Sequence, residues 1–223
     1  MEFVEYPDRE ILAMGLADAL AGALRACLSL HDHASFCVTG GSSPTEVYSL
    51  LSGTALDWDR VHVFLNDERW VPEDDPRSNT AMVKRTLLTG KAAAARWVPM
   101  HADAPSPEAG IPALAPAFDG EFPISLLLLG MGADMHTASL FPDGDNLDAA
   151  LADDAPTLMA MRSPSVDVPR ITLTAPVLRG AMETHLLIMG DDKREVLETA
   201  RHLDPRRAPI AAFLRDATVH WAP

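Results

Sequence analysis

Asp134 and His136, two positions apart, follow a run of four leucines (Leu126 to Leu129) and the turn Gly130-Met131-Gly132. A histidine can take up and return a proton near neutral pH, and a nearby carboxylate can orient it or balance its charge. His136 is therefore the candidate general base. Asp134 is one candidate partner, and Asp67, in the segment Asn66-Asp67-Glu68-Arg69, is the other. Four successive leucines lack the alternation of a half-exposed strand and fit a strand covered on both faces of a parallel sheet. Glycines at its carboxyl end mark a sharp turn, at the place where open α/β sheets bind ligands.

Three other segments carry groups that suit an anion. Thr39-Gly40-Gly41-Ser42-Ser43-Pro44 runs from a strand into a helix start, so the amides and hydroxyls of Gly41, Ser42 and Ser43 can meet a phosphate. Arg69 follows a strand directly and presents a planar fork of donors. Arg170 opens a later strand, and Lys193 sits in the first turn of a helix beginning at Asp191 or Asp192. A lysine there opposes the helix dipole, a misfit that a bound anion would relieve. Each segment also has a plain reading: an ordinary strand-to-helix loop, a solvated charge cluster, a surface lysine. There is no Walker pattern and no third glycine of a dinucleotide fingerprint. A Gly-x-Ser-x-Gly elbow and an activated cysteine are also missing, so direct attack by water fits better than a covalent intermediate.

The elements that must position these groups alternate. Asp8 can cap a helix reaching about residue 31, with Ile11, Leu12, Leu16, Leu20, Leu24 and Leu28 near helical period. Strands are expected at 35–39, 61–65, 126–129, 157–161, 170–174, 185–189 and 218–221. Pro44 suits the first turn of a helix to about Leu51, and Ser78 caps a helix bearing Met82, Val83, Leu87 and Leu88. A short helix is expected at 210–214. Residues 102–123 hold five prolines, so any helix there is short or interrupted, and a variable or mobile surface excursion is expected. Alternating strands and helices imply βαβ units: an α/β fold with a mostly parallel sheet between helices, in one domain over residues 1–223.

A net charge of -14 argues against sequence-independent nucleic-acid binding, which needs a basic surface. It leaves a small anionic substrate open, because charges beyond a Debye length of about 8–10 Å are largely screened. Cys27 and Cys37 are too few for a disulfide framework, and no His or Cys cluster has zinc-ligand spacing, so no metal is expected. No run of about 18 apolar residues marks a membrane span. No basic region leads into an apolar one at the start, so a cytoplasmic location is expected.

With these residues in view, the chain resembles the glucosamine-6-phosphate isomerase/6-phosphogluconolactonase family. The matching segments are 39–44, 66–72 with the later Ser78-Asn79, 129–142, 169–174 and 190–193, in the family's order. The resemblance implies a modified Rossmann-like three-layer sandwich with helices on both faces of the sheet. It implies hydrolysis of 6-phospho-D-glucono-1,5-lactone to 6-phosphogluconate in the pentose phosphate pathway, without a metal or organic cofactor. By motif, His136 is the base. Gly41, Ser42, Ser43, Arg170 and Lys193 take the phosphate end, and Asp67 and Arg69 lie in the sugar pocket. The expected partner is a small phosphorylated sugar lactone, with the chain a monomer or homodimer. The deaminase branch of the family places a glutamate five residues after the histidine; this chain has Phe141, which cannot move protons. Two departures stand out. Met135 replaces a usual glycine beside the base, which would strain the backbone if that position needs φ > 0. Ser125 stands where an acid is common. A sugar-phosphate-binding regulator without turnover is the reading from a different class.

Overall fold

In a computed structural model describing residues 1–223, the leucine spacing near the start becomes helix α1 (Arg9–Leu28). The Asp8 carboxylate accepts the Ile11 amide at 2.8 Å, capping the helix. Leu12, Leu16, Leu20, Leu24 and Leu28 form its buried stripe, whereas Ile11, which shares their spacing, is exposed. By length and average apolarity α1 would pass for a membrane span, but Asp18 and Arg25 interrupt it, so it is not an unbroken apolar run. In the fold its leucine stripe packs against the next helix, α2 (Thr45–Ser52), and the central sheet.

The central sheet has seven strands: β1 (Glu2–Glu5), β2 (Ala34–Val38), β3 (Val61–Leu65), β5 (Arg96–Trp97), β6 (Leu126–Gly130), β9 (Glu183–Met189) and β10 (Thr218–Ala222). Their order is β1-β10-β9-β6-β2-β3-β5, and every pair is parallel. Every residue of β2 is buried, as are the four leucines of β6, so both faces of the sheet are covered by helices and loops. Buried side chains from all layers form one continuous core. From β2 the chain steps to β3 and β5 on one side, and β6 then returns to the other side of β2. The strand order therefore reverses between β2 and β6, and their carboxyl ends flank a crevice.

Three further strands form a separate antiparallel sheet: β4 (Asp67–Arg69), β7 (Leu158–Met161) and β8 (Arg170–Leu173), in the order β4-β8-β7. The charged segment after β3, whose plain reading is a solvated charge cluster, is thus a strand. Its three residues have no apolar alternation to announce it. The pairing is supplied by β8, about a hundred residues downstream, with Asp67 opposite Thr172 and Arg69 opposite Arg170.

The remaining helices are α3 (Asn79–Thr86), α4 (Pro107–Leu114), α5 (Leu147–Leu151), α6 (Ala175–Arg179) and α7 (Asp191–Ala200). Ser78 caps α3, its hydroxyl accepting the Ala81 amide at 3.1 Å. The expected helix near residue 210 is a 3-10 turn, Pro209–Phe213. The proline-rich stretch is interrupted as expected, with α4 passing into a 3-10 turn (Ala115–Phe118), but it is not a detached excursion. Leu114 and Phe118 enter the core, Phe118 lying edge-on to Phe64 at 5.4 Å between ring centroids. Ser125 replaces the usual acid with a reciprocal pair: its hydroxyl accepts the Ser35 amide at 3.1 Å, and its own amide donates to the Ser35 carbonyl at 3.1 Å.

Strands β9 and β10 carry a polar chain running from Tyr6 through the buried His220 and His185 to the exposed Glu183, each link 2.9 Å long. One assignment satisfies all of it. The Tyr6 hydroxyl donates to His220 Nδ1, His220 Nε2–H to His185 Nδ1, and His185 Nε2–H to the Glu183 carboxylate. Burial, with the neighbouring His185 charge adding to it, pulls His220 down from 6.5 to about 4. A histidine depressed in the fold contributes stability that is full above its unfolded pKa and is lost as pH falls toward its folded one. Urea unfolding should therefore show about 2 kcal/mol less stability from this group at pH 5 than at pH 7.5. In His220→Phe this part of the pH dependence should vanish, whatever the variant's stability at neutral pH; an unchanged slope would refute the assignment.

Candidate active site

The loop leaving β2 builds one wall of the crevice. Gly41 takes φ +88°, and Pro44 stands at the start of α2. The Tyr48 hydroxyl, from within α2, donates to the Thr39 carbonyl at 2.7 Å and ties the loop to its helix. Gly40 is obligatory for space, since a Cβ there would lie 2.2 Å from the Asn79 side chain at the start of α3.

The loop leaving β6 builds the second wall and carries His136, the candidate base. It closes on itself, with Met135 N–H donating to Gly132 O at 3.1 Å and Gly132 N–H to His136 O at 2.9 Å. Met135 sits in the left-handed region with φ 68°, so the methionine occupies a position that favours glycine, at a cost of roughly 1 kcal/mol or more. Its carbonyl accepts the Ile210 amide at 3.1 Å, and its half-buried side chain rests on the core, contacts that hold the strained turn in place.

His136 Nδ1 lies 2.5 Å from Asp134 Oδ1. A carboxylate only accepts, so Nδ1 carries the proton and Nε2 is the free lone pair. Asp134, not Asp67, is thus the hydrogen-bond partner of His136. Burial raises the Asp134 pKa, but the hydrogen bond and charge of His136 outweigh it and leave the carboxyl below its ordinary value. Gly132 makes this pair possible: a Cβ there would be 2.1 Å from His136 Nδ1 and 2.4 Å from Asp134 Oδ1. The ring also meets Phe141, 4.7 Å between centroids and tilted by 45°, so the residue standing in the deaminase glutamate's place is a packing surface for His136.

Strand β4 forms the third wall. Its buried Asp67 accepts a 2.5 Å hydrogen bond from the Ser139 hydroxyl. Glu68 points the other way, fully buried, and accepts the Asn79 and Thr80 amides at the start of α3 at 2.9 and 2.6 Å. Arg69 faces the cleft, and its guanidinium also donates to the Arg77 carbonyl. Lys193, in the first turn of α7, donates from Nζ to the Met131 carbonyl at 2.9 Å. Burial lowers its pKa, which the Asp134 charge partly offsets.

Together these walls enclose a cleft of about 300 Å³. Gly41, Ser42, Ser43, Asp67, Arg69, His136 and Lys193 all line it. Asp134 and Arg170 do not. Asp134 is one step removed, through His136. Arg170 is the cross-strand neighbour of Arg69, 7 % exposed, with its guanidinium donating to the Val168 carbonyl at 3.2 Å. Burial lowers its pKa and the Asp67 charge works against that. Arg69, Arg170 and Lys193 each lack a carboxylate within ion-pair distance, in a chain of net charge -14. The cleft therefore presents two cations without an ion-pair partner, Arg69 and Lys193, beside the Asp67 carboxylate. Asn79 on the wall, and Ser139 and Glu68 behind it, are contributions that no reading of single residues assigned; only the Ser78-Asn79 pair had stood out.

A family model described as Glucosamine-6-phosphate isomerases/6-phosphogluconolactonase matches residues 7–221. The chain belongs to this family. Among its relatives, a 6-phosphogluconolactonase from Pseudomonas aeruginosa is 43% identical over 215 residues, 95% of this chain and 90% of that protein. Another from Mesorhizobium japonicum is 39% identical, covering 98% and 94%. Among solved structures, a 6-phosphogluconolactonase from Shewanella baltica superposes with a TM-score of 0.94 at 30% identity, over 100% of this chain and 98% of that one. These family members share the α/β fold with its parallel sheet, as expected from the alternation of strands and helices.

Proposed function

We propose that the chain hydrolyses 6-phospho-D-glucono-1,5-lactone to 6-phosphogluconate, the lactonase step of the pentose phosphate pathway. The relatives named for this activity support it at nearly full length. The observation that carries the mechanism is the free Nε2 of an Asp134-oriented His136, facing a cleft that also holds Arg69, Lys193 and a Gly-Ser-Ser helix-entry loop. The 6-phosphate docks on the amides and hydroxyls of residues 41–43, with Lys193 adding a charge-assisted bond. His136 Nε2 takes a proton from water as the water oxygen attacks C1 of the lactone. The tetrahedral intermediate then collapses, the C1–ring-oxygen bond breaks, and the imidazolium returns its proton to the departing ring oxygen. The Gly132 amide is already donated to His136 O, so Arg69 is the donor assigned to the developing oxyanion, with Arg170 adding positive charge from the adjacent strand. Asp67, held by Ser139, faces the sugar hydroxyls. With Phe141 against the histidine, the ring-opening carboxylate of the deaminase reading has no place to act.

The test is acid release from freshly generated lactone above the spontaneous background. A rate equal to background with measurable substrate binding would instead establish a sugar-phosphate-binding protein without turnover. In Lys193→Ala, loss of a charge-assisted bond worth about 1.5–3 kcal/mol predicts a KM roughly 10- to 100-fold higher with kcat nearly unchanged. A normal KM would remove Lys193 from the phosphate site.

A further inference from the structure

At the opposite, amino edge of the central sheet, three side chains converge that the hydrolytic cleft does not use. His33 immediately precedes β2, His62 is the second residue of β3, and Glu121 lies a few residues ahead of β6. Their ligand atoms all lie within 4.8 Å of one another. Glu121 is 2 % exposed, yet both its carboxylate oxygens face the same atom, His62 Nδ1, at 2.9 and 3.1 Å. No lysine or arginine pairs with it. A buried carboxylate with so little compensation is costly unless a cation shares the site. The His33 ring stacks on His62 at 4.5 Å between centroids, and its Nε2 points at the Gly120 carbonyl at 3.2 Å. Two imidazoles and a carboxylate thus face one small volume beside residues 120–121.

The scaffold around the three is braced. Arg60 donates to the carbonyls of Leu28, His31 and Asp32 at 2.7–2.9 Å, fixing the turn that delivers His33 to the start of β2, where Ala34 pairs with Val61, the residue before His62 on the adjacent β3. The Ser35 hydroxyl donates to the Glu121 carbonyl at 2.7 Å, and the Glu121 amide to Phe118 O at 3.1 Å, so the backbone beneath the carboxylate is held from both sides. We propose that His33, His62 and Glu121 bind one divalent transition-metal ion of the zinc class, as a structural staple joining β2, β3 and the approach to β6. Two imidazole nitrogens and one carboxylate are a zinc-type donor set, with water as the fourth ligand. Positions 33, 62 and 121 are far apart in the chain, which is why no local zinc spacing announces them. The site lies across the sheet from His136 and takes no part in hydrolysis.

The experiment uses untagged full-length protein, stripped with a chelator and titrated with Zn²⁺ by calorimetry, with Co²⁺ as an optical probe of the coordination. The expected result is one equivalent bound with micromolar or tighter affinity and a raised Tm. Removing a ligand should weaken binding at least about 10- to 100-fold in His62→Ala and in the isosteric Glu121→Gln, which guards against misfolding of the first. Lactone hydrolysis by these variants should match the parent, and Zn²⁺ binding should survive in His136→Ala. Absence of stoichiometric binding, binding unaffected by both Glu121→Gln and His62→Ala, or binding lost only in His136→Ala would each overturn the proposal. The last outcome would place the ion in the hydrolytic cleft.

Discussion

Replacing His136 with alanine is expected to lower kcat for lactone hydrolysis by about 10²–10⁴-fold, the usual contribution of a positioned general base. The loop of Gly41, Ser42 and Ser43 proposed to bind the phosphate, and Lys193, belong to other walls of the cleft, so KM should stay within a few-fold. A side chain one-third exposed and resting on Phe141 carries little of the fold, so the melting temperature should barely move. Loss in kcat without loss of stability separates a chemical role from a packing one. Asp134→Asn tests the dyad from its other side: the amide can no longer accept from Nδ1–H as a charged partner, so kcat should fall by a smaller factor with KM again steady. Hydrolysis by His136→Ala at the parent rate under saturating substrate would refute the assignment of the base.

The largest stability effect is expected at Glu68. This residue has no contact with the cleft, yet its carboxylate accepts the amides of Arg69 at 2.7 Å, Asn79 at 2.9 Å and Thr80 at 2.6 Å, and the Thr80 hydroxyl at 2.7 Å. Burial raises its pKa while these hydrogen bonds lower it, and burial prevails. The carboxylate thus caps α3 in place of solvent and binds it to β4, the strand carrying Asp67 and Arg69. Glu68→Ala leaves several buried donors without a partner and should cost about 3–5 kcal/mol in urea unfolding. Glu68→Gln keeps the shape and part of the acceptor capacity, so it should lose less. Because Asn79 and Arg69 both flank Glu68, the alanine variant should also lose activity at temperatures where it remains folded. A loss below 1 kcal/mol would mean that water replaces the carboxylate and that the capping role is minor.

Several features were legible without any tertiary structure because they are set by neighbours in the chain. The Asp8 and Ser78 caps, the leucine stripe of α1, the apolar strands and their glycine-rich exits depend on local dihedrals and local burial periodicity. Since ligand groups in such folds collect where strands end, Gly41, Ser42, Ser43, Asp67, Arg69, His136 and Lys193 could be nominated together, and all of them line the one cleft. Met135 marks the limit of that reasoning. Its side chain raised the question of strain, but only the folded turn, with φ 68°, answers it.

What the sequence by itself determined was therefore the alternation of elements, the family, and the chemical groups delivered to the strand ends. The tertiary structure alone decided which carboxylate pairs with His136, that Arg170 stands beside Arg69 rather than on the cleft wall, that the charged segment after β3 is a strand, and that His33, His62 and Glu121 meet. The physical reason is common to all four. Each depends on a contact whose distance, strand register or side-chain direction is set when remote segments pack, and no periodicity or local propensity in the chain encodes it.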